Sequence, residues 1–298
     1  MIPSFWAILS TLLFSLSTPL SKILSTRYPP LFLAGLFYCG SALGALVGFI
    51  RPLGLPTPTL HAFVEFSGLT LRARLALAGS VLVGGVVAPA LFIWGLSGAK
   101  ASAGSLLMNA EGIMTVILAV LIFRERLTVR LLAGTLLGAG GCALLSFQGS
   151  LGQGLWSLPF LGAALLWALD SNFLRFLSGV NPLVLTVWKG IASSILLLAL
   201  AACFEVWRMP PPGDAGLILV VGGVGYGASL VFFIRSIRMI GVSRTGAWFS
   251  FSPFFGAALS LLILREHVPG SFLLSAGILF LAAILLSEGP DAAKNPEP

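Results

Sequence analysis

The segment LLMNAEGIMTVILAVLIFRER, Leu106 to Arg126, decides how the rest of the chain is read. It has the length and the apolar content of a bilayer-crossing helix, for which about 20 residues suffice. Yet it holds a carboxylate, Glu111, among Leu, Ile, Val and Ala. An acid at mid-bilayer costs about 2.5–3.5 kcal/mol on insertion scales, so such a group faces a cavity or a partner.

The surroundings identify the solvent. Of 298 residues, 57% are hydrophobic and 9% charged, with a mean hydropathy of +1.03. Soluble domains carry about 25% charged residues, so most of this surface meets lipid. The net charge of +7 comes from 17 Lys and Arg scattered at helix ends, with no dense basic run. That excludes a nucleic-acid partner and suits charges that orient a protein in a bilayer. Cys39, Cys142 and Cys203 lie inside apolar segments without metal-ligand spacing, so no disulfide framework, metal or other cofactor is expected. The N-terminal MIPSFWAILSTLLFSLSTPL lacks a basic leader and a small-residue cleavage site, and reads as an uncleaved span.

Ten apolar segments can be placed, near 3–24, 31–50, 75–97, 102–123, 129–147, 156–178, 182–204, 215–237, 245–264 and 271–287. The expected fold is therefore an all-α integral membrane protein of ten transmembrane helices. Most linkers are short, which makes neighbouring helices antiparallel; the stretches 51–74 and 208–214 are the long ones. The polar, Pro-rich residues 289–298 are expected to be a disordered tail.

Placing both termini in the cytoplasm puts eleven basic residues inside: Arg51, Arg72, Arg74, Arg124, Arg126, Arg130, Arg175, Arg235, Arg238, Arg244 and Lys294. Five lie outside (Lys22, Arg27, Lys100, Arg208, Arg265), so the excess of inner positive charge favours that orientation.

The chain repeats itself. Shifting residues 91–146 by 141 lays LIFRER on LILREH and Arg124–Glu125 on Arg265–Glu266. About a dozen of some 56 positions coincide. A repeat of five spans crosses the membrane an odd number of times, so residues 1–150 and 151–288 form two halves of opposite orientation. Inverted repeats of this kind build alternating-access transporters whose site lies near the midplane.

IRSIRMIGVSRTGAWFSFSPFFGAALSLLILREH (234–267) and GLSGAKASAGSLLMNAEGIMTVILAVLIFRER (95–126) resemble the drug/metabolite transporter superfamily, in its ten-helix EamA-like branch. The resemblance covers almost the whole chain. It implies a 5+5 inverted fold in the bacterial inner membrane and export or exchange of amino acids and other small metabolites.

Three ionisable groups lie within spans: Glu111, Asp170 and Lys189. At 1.5 Å per residue, Asp170 and Lys189 are each roughly 15 Å from the turn joining spans six and seven, and an ion pair is expected. That pair is either a structural clamp or a site for a zwitterion, Asp170 taking the ammonium and Lys189 the carboxylate. Glu111 lies roughly 13 Å from the outer face. It borders a wet cavity, as a proton-coupling or cation-recognising group, or it pairs with Lys189. Gly104, Met108, Glu111 and Thr115 share one small, polar face of the helix.

Trp94, Trp167, Trp188 and Tyr226 are candidate apolar walls of a substrate site, against ordinary packing or interface anchoring. Asn109, Asn172, Ser250 and Ser252 are candidate hydrogen-bonding contacts, against bridging between helices. Gly40, Gly44 and Gly48, like Gly134 and Gly138, invite close helix contact, and Pro19, Pro89 and Pro253 are expected to kink their spans.

The leading functional reading is a secondary transporter, exporting or exchanging a small-molecule substrate through a central cavity, with proton coupling through Glu111. An uncoupled facilitative permease is the alternative. No Walker motif is present to supply an ATP drive. An intramembrane enzyme is disfavoured, because His61 and His267 lie at or near loops without a nucleophile or metal set. The inverted repeat argues against a channel or receptor.

Overall fold

The computed structural model describes residues 4–50, 69–123, 129–146, 155–177 and 179–287. The Arg124–Glu125 pair, most of the 51–74 linker and the 289–298 tail lie outside them. Within these residues the chain is α-helical: α1 Phe5–Ser25, α2 Pro30–Ile50, α3 Leu71–Gly79, α4 Ala88–Gly98, α5 Ala101–Leu107, α6 Ala110–Phe123 and α7 Val129–Ser146. The second part contributes α8 Ser157–Phe176, α9 Pro182–Phe204, α10 Pro212–Val220, α11 Ser229–Phe249, α12 Ser252–Leu264 and α13 Gly270–Ser287. Six described stretches are long and apolar enough to cross a membrane, at Phe5–Ser25, Pro30–Val47, Leu71–Gly98, Ser157–Leu174, Pro182–Phe204 and Pro212–Ile240.

Two of these stretches widen in the middle. Ser80–Val87 joins α3 to α4, and Val221–Ala228 joins α10 to α11, each as a π-helix. Such widened turns are rare and concentrate at functional sites. Both are glycine-rich, SVLVGGVV and VGGVGYGA. They begin 141 residues apart, the same offset as the sequence repeat.

Two expected spans are interrupted instead. α5 ends at Leu107 and α6 starts at Ala110, while α11 ends at Phe249 and α12 starts at Ser252. Proline accounts for only part of this. α1 runs unbroken through Pro19, and Pro89 follows the first π segment without a break and leaves the Gly84 carbonyl, five residues back, without a helical donor. Pro253, by contrast, occupies a first-turn position where a missing N–H leaves no bond unmade. α9 starts the same way, at Pro182, with Asn181 accepting a bond from the Leu183 N–H.

Helical hydrogen bonding persists over Ser229–Phe249, but the segment bends back on itself. The Ser236 and Thr245 hydroxyls are 2.9 Å apart, where nine residues of straight helix would separate them by about 13.5 Å. The Phe233 and Phe249 rings likewise meet at 5.0 Å. The reversal falls where the sequence separates spans near 237 and 245.

Glycine sets the closest packing. A Cβ at Gly44 would lie 2.7 Å from the Gly223 Cα, and one at Gly222 would lie 2.2 Å from the Phe37 carbonyl oxygen. α2 therefore meets the second π segment main chain to main chain, and α2 also packs along α9. Gly134 of α7 makes room for the Leu286 side chain of α13, and Gly138 for the side chains of Ile113 of α6 and Ala282 of α13. α1 packs on α11 and α12, and α8 on α4 and α6. The largest core cluster, with Phe37, Phe92, Leu96 and Phe160 fully buried, joins both parts of the chain.

Candidate functional site

The first π segment builds the polar centre. In the widened turn the helical donor for the Gly84 carbonyl would be Pro89, which has no N–H, and the oxygen accepts instead from the Tyr38 hydroxyl at 2.9 Å and the Trp167 Nε1 at 3.1 Å. Asp170 of α8 packs directly on this turn: a Cβ at Gly84 would lie 2.1 Å from its Cγ. Ser80 donates to Asp170 Oδ1 at 2.5 Å, and Lys189 of α9 donates to Oδ2 at 2.5 Å. The Lys189 and Asp170 side chains are only 2% and 8% exposed. The expected pair is thus present, and both carboxylate oxygens have donors.

Glu111 arrives by a different route. The interruption at Met108–Asn109 makes it a first-turn residue of α6, where the positive end of the helix dipole favours a carboxylate. Its side chain sits beside the Ser171 hydroxyl and near Asp170.

These groups border a cavity of about 90 Å³, room for several waters at about 10–15 Å³ each. Its wall takes Ser10 and Phe14 from α1, Tyr38 from α2, Glu111 from α6, and Trp167, Asp170, Ser171 and Leu174 from α8. Lys189, Tyr226, Ser229, Leu230, Phe233 and Phe249 complete it. Phe14 is the aromatic hub, 5.8 Å from Trp167, 6.1 Å from Tyr226 and 5.3 Å from Phe249.

Glu111, Trp167, Asp170, Lys189 and Tyr226 therefore converge, and the other sequence candidates do not line this cavity. Trp94 is 49% exposed and packs on Trp156. Trp188, on the same helix as Lys189, is 39% exposed. The Asn109 and Asn172 amides bond to the carbonyls of Leu106 and Ala168 in their own helical turns. Ser250 sits at the interruption before α12, while Ser252 is buried against Ser15 of α1 at 3.0 Å. Ser10, Phe14, Tyr38, Ser171, Ser229 and Phe249 are wall residues that sequence reasoning missed. A small hydroxyl or a ring inside an apolar span carries no mark of which way it faces.

Polar bonds fasten the bundle at the end opposite the N-terminus. Glu266 accepts from the Ala101 and Ser102 N–H groups at 2.8 and 3.0 Å and from the Ser102 hydroxyl at 2.5 Å. Lys100 donates to the His267 carbonyl at 2.5 Å. Arg27 and Tyr28 both donate to Asp214, at 2.8 and 2.7 Å. Glu205 accepts from the Leu31 and Phe32 N–H groups at 2.9 and 2.8 Å. The cavity lies toward the other end, since Ser10 is only five residues into α1 and Leu174 two from the end of α8.

The model of the EamA-like transporter family matches the chain over residues 1–147 and 154–288. The chain is 29% identical over 293 residues to an uncharacterized transporter of Methanothermobacter thermautotrophicus, covering 94% of this chain and 84% of that protein. A solved crystal structure, 20% identical, is similar in fold with a TM-score of 0.61 over 95% of both chains.

Proposed function

Because the chain belongs to the EamA-like transporter family, a transporter with membrane-spanning helices, we propose that it is a secondary transporter of small metabolites. It exports or exchanges them by alternating access, from a cytoplasmic membrane with both termini inside. The observation that carries this reading is the cavity beside Glu111, walled by α1, α2 and α6 of the first part of the chain and by α8, α9, the second π segment and α11 of the second.

Several features support two inverted halves of five crossings, 1–150 and 151–288. The family model matches in two stretches. The π segments are 141 residues apart, and the interruptions at 108–109 and 250–251 nearly so. The packing exchanges symmetrically, α1 meeting α11 and α12 while α8 meets α4 and α6. A five-crossing unit inverts its successor. With the far end fastened and the cavity toward the N-terminal end, the conformation is closed to the outside.

Within this scheme Glu111 is the proton-coupling and substrate-binding group, with Asp170, Lys189, Tyr38 and Tyr226 the other ionisable groups facing it across the cavity. Trp167 and Tyr226 form the apolar wall. Burial of the Asp170–Lys189 pair, with Ser80 on the second oxygen, supports a clamp between α8 and α9. The positions of Trp94, Trp188, Asn109, Asn172, Ser250 and Ser252 support packing roles. Proteoliposomes loaded with candidate solutes test the proposal: efflux is expected to respond to a pH gradient and to lose that response in Glu111→Gln. Flux independent of the gradient and unchanged by Glu111→Gln would leave uncoupled facilitated diffusion, and absence of any saturable flux would refute transport through this cavity.

A further inference from the structure

Building on the transport reading, the cavity wall also points to a class of substrate. Among the described residues that line it, Lys189 is the sole base, and its ammonium is bonded to Asp170 at 2.5 Å with 2% of the side chain exposed. A ligand carboxylate would meet Lys189 only as half of a buried pair whose charge Asp170 already offsets, with the Asp170 and Glu111 carboxylates close by. The described wall therefore holds two carboxylates, Asp170 and Glu111, against one ammonium. Around them Phe14, Trp167, Tyr226 and Phe249 present aromatic rings with centroids 5.3–6.1 Å from one another through Phe14. Such faces attract a cation through their quadrupoles, most strongly where water is excluded. At about 90 Å³ the space admits only a compact occupant.

We propose that this cavity selects small organic cations, amines or quaternary ammonium compounds with a short apolar body, over zwitterions and carboxylates. Glu111 receives the cationic centre and the rings receive the apolar part, while Lys189 stays committed to Asp170. Amino acids, which carry a carboxylate as well as an ammonium, then bind more weakly than the corresponding amines.

The test uses the full-length protein with Cys39, Cys142 and Cys203 replaced by Ala, carrying Ser171→Cys of α8 or Ser10→Cys of α1. Each variant is treated with aminoethyl, sulfonatoethyl or methyl methanethiosulfonate, and rates are normalised to those of a free thiol. The cationic reagent is expected to react at least tenfold faster than the anionic one at both positions, and Glu111→Gln is expected to reduce that ratio at least threefold. Isoamylamine should protect the cysteine at concentrations at least tenfold lower than leucine, and 4-methylpentanoate should give no protection. Equal or faster reaction with the anionic reagent, or protection by leucine equal to that by isoamylamine, would overturn the proposal while leaving a reachable central cavity. Failure of even the neutral methyl reagent at both positions would overturn the cavity itself and the transport reading with it.

Discussion

Replacing Lys189 by Met leaves the Asp170 carboxylate with Ser80 as its one donor among the described residues, in a site where the carboxylate side chain is 8% exposed. Asp170→Asn does the converse, leaving an ammonium that is 2% exposed beside a neutral amide. Removing one partner of a buried pair costs about 3–5 kcal/mol, whereas neutralising both is often close to neutral. In the double variant the amide still accepts from Ser80, and its unpaired NH2 group, at about 1–3 kcal/mol, is the main residual cost. Each single variant should thus lose about 4 kcal/mol and the double variant about 2, a coupling well above the ~0.5 kcal/mol scatter of independent sites. Reversible unfolding in bicelles by added SDS, followed by tryptophan fluorescence, measures all three losses. Single losses below about 1 kcal/mol, or losses that add in the double variant, would refute the clamp reasoning. So would a double variant that is folded yet inactive in flux, because a clamp that holds α8 to α9 has no direct part in carrying the solute.

Gly84→Ala places a Cβ 2.1 Å from the Asp170 Cγ, and should cut the monodisperse yield in size-exclusion chromatography at least as much as Lys189→Met does. Glu266→Ala removes three bonds from the first turn of α5. Hydrogen–deuterium exchange over Ala101–Leu107 should accelerate at least tenfold, with the second half of α9 unchanged. Trp167→Ala, which removes a wall ring and a donor to the Gly84 carbonyl, should lower flux at least tenfold. Trp94→Ala, changing an outward-facing ring, should leave flux within twofold of the parent.

The helical segments and the depth of the charges could be read from the sequence because both depend on distance along the chain. Asp170 and Lys189 were expected to meet because each lies about ten residues from the same turn, and they do, at 2.5 Å. Direction around the helix axis was far less legible. Trp94 and Trp167 occupy similar apolar contexts, yet one faces outward and the other the cavity, because packing against Phe160, Phe92 and Phe14 fixes the rotation only after the bundle assembles. The π segments also escaped notice. A pair of glycines in an apolar run does not announce a widened turn, yet here it lets Asp170 pack on Gly84, whose carbonyl meets Tyr38 and Trp167. The interruption at Met108–Asn109 was hidden as well, since neither residue is a proline or glycine.

The seam between α2 and the second π segment is formed by glycines and carbonyls. Main chain held in helical hydrogen bonds has no side-chain rotamers to freeze when it shifts, whereas an interdigitated seam of long side chains loses up to about 2 kcal/mol of rotamer freedom for each one immobilised. At the glycine positions sliding meets no interlocked side chains, and the Tyr226 ring, 5.4 Å from Phe37 and 5.8 Å from Tyr38 of α2, is the part of the seam that must repack. Under the proposed alternating access, a rate limited by motion along this line should show a small activation entropy across temperature.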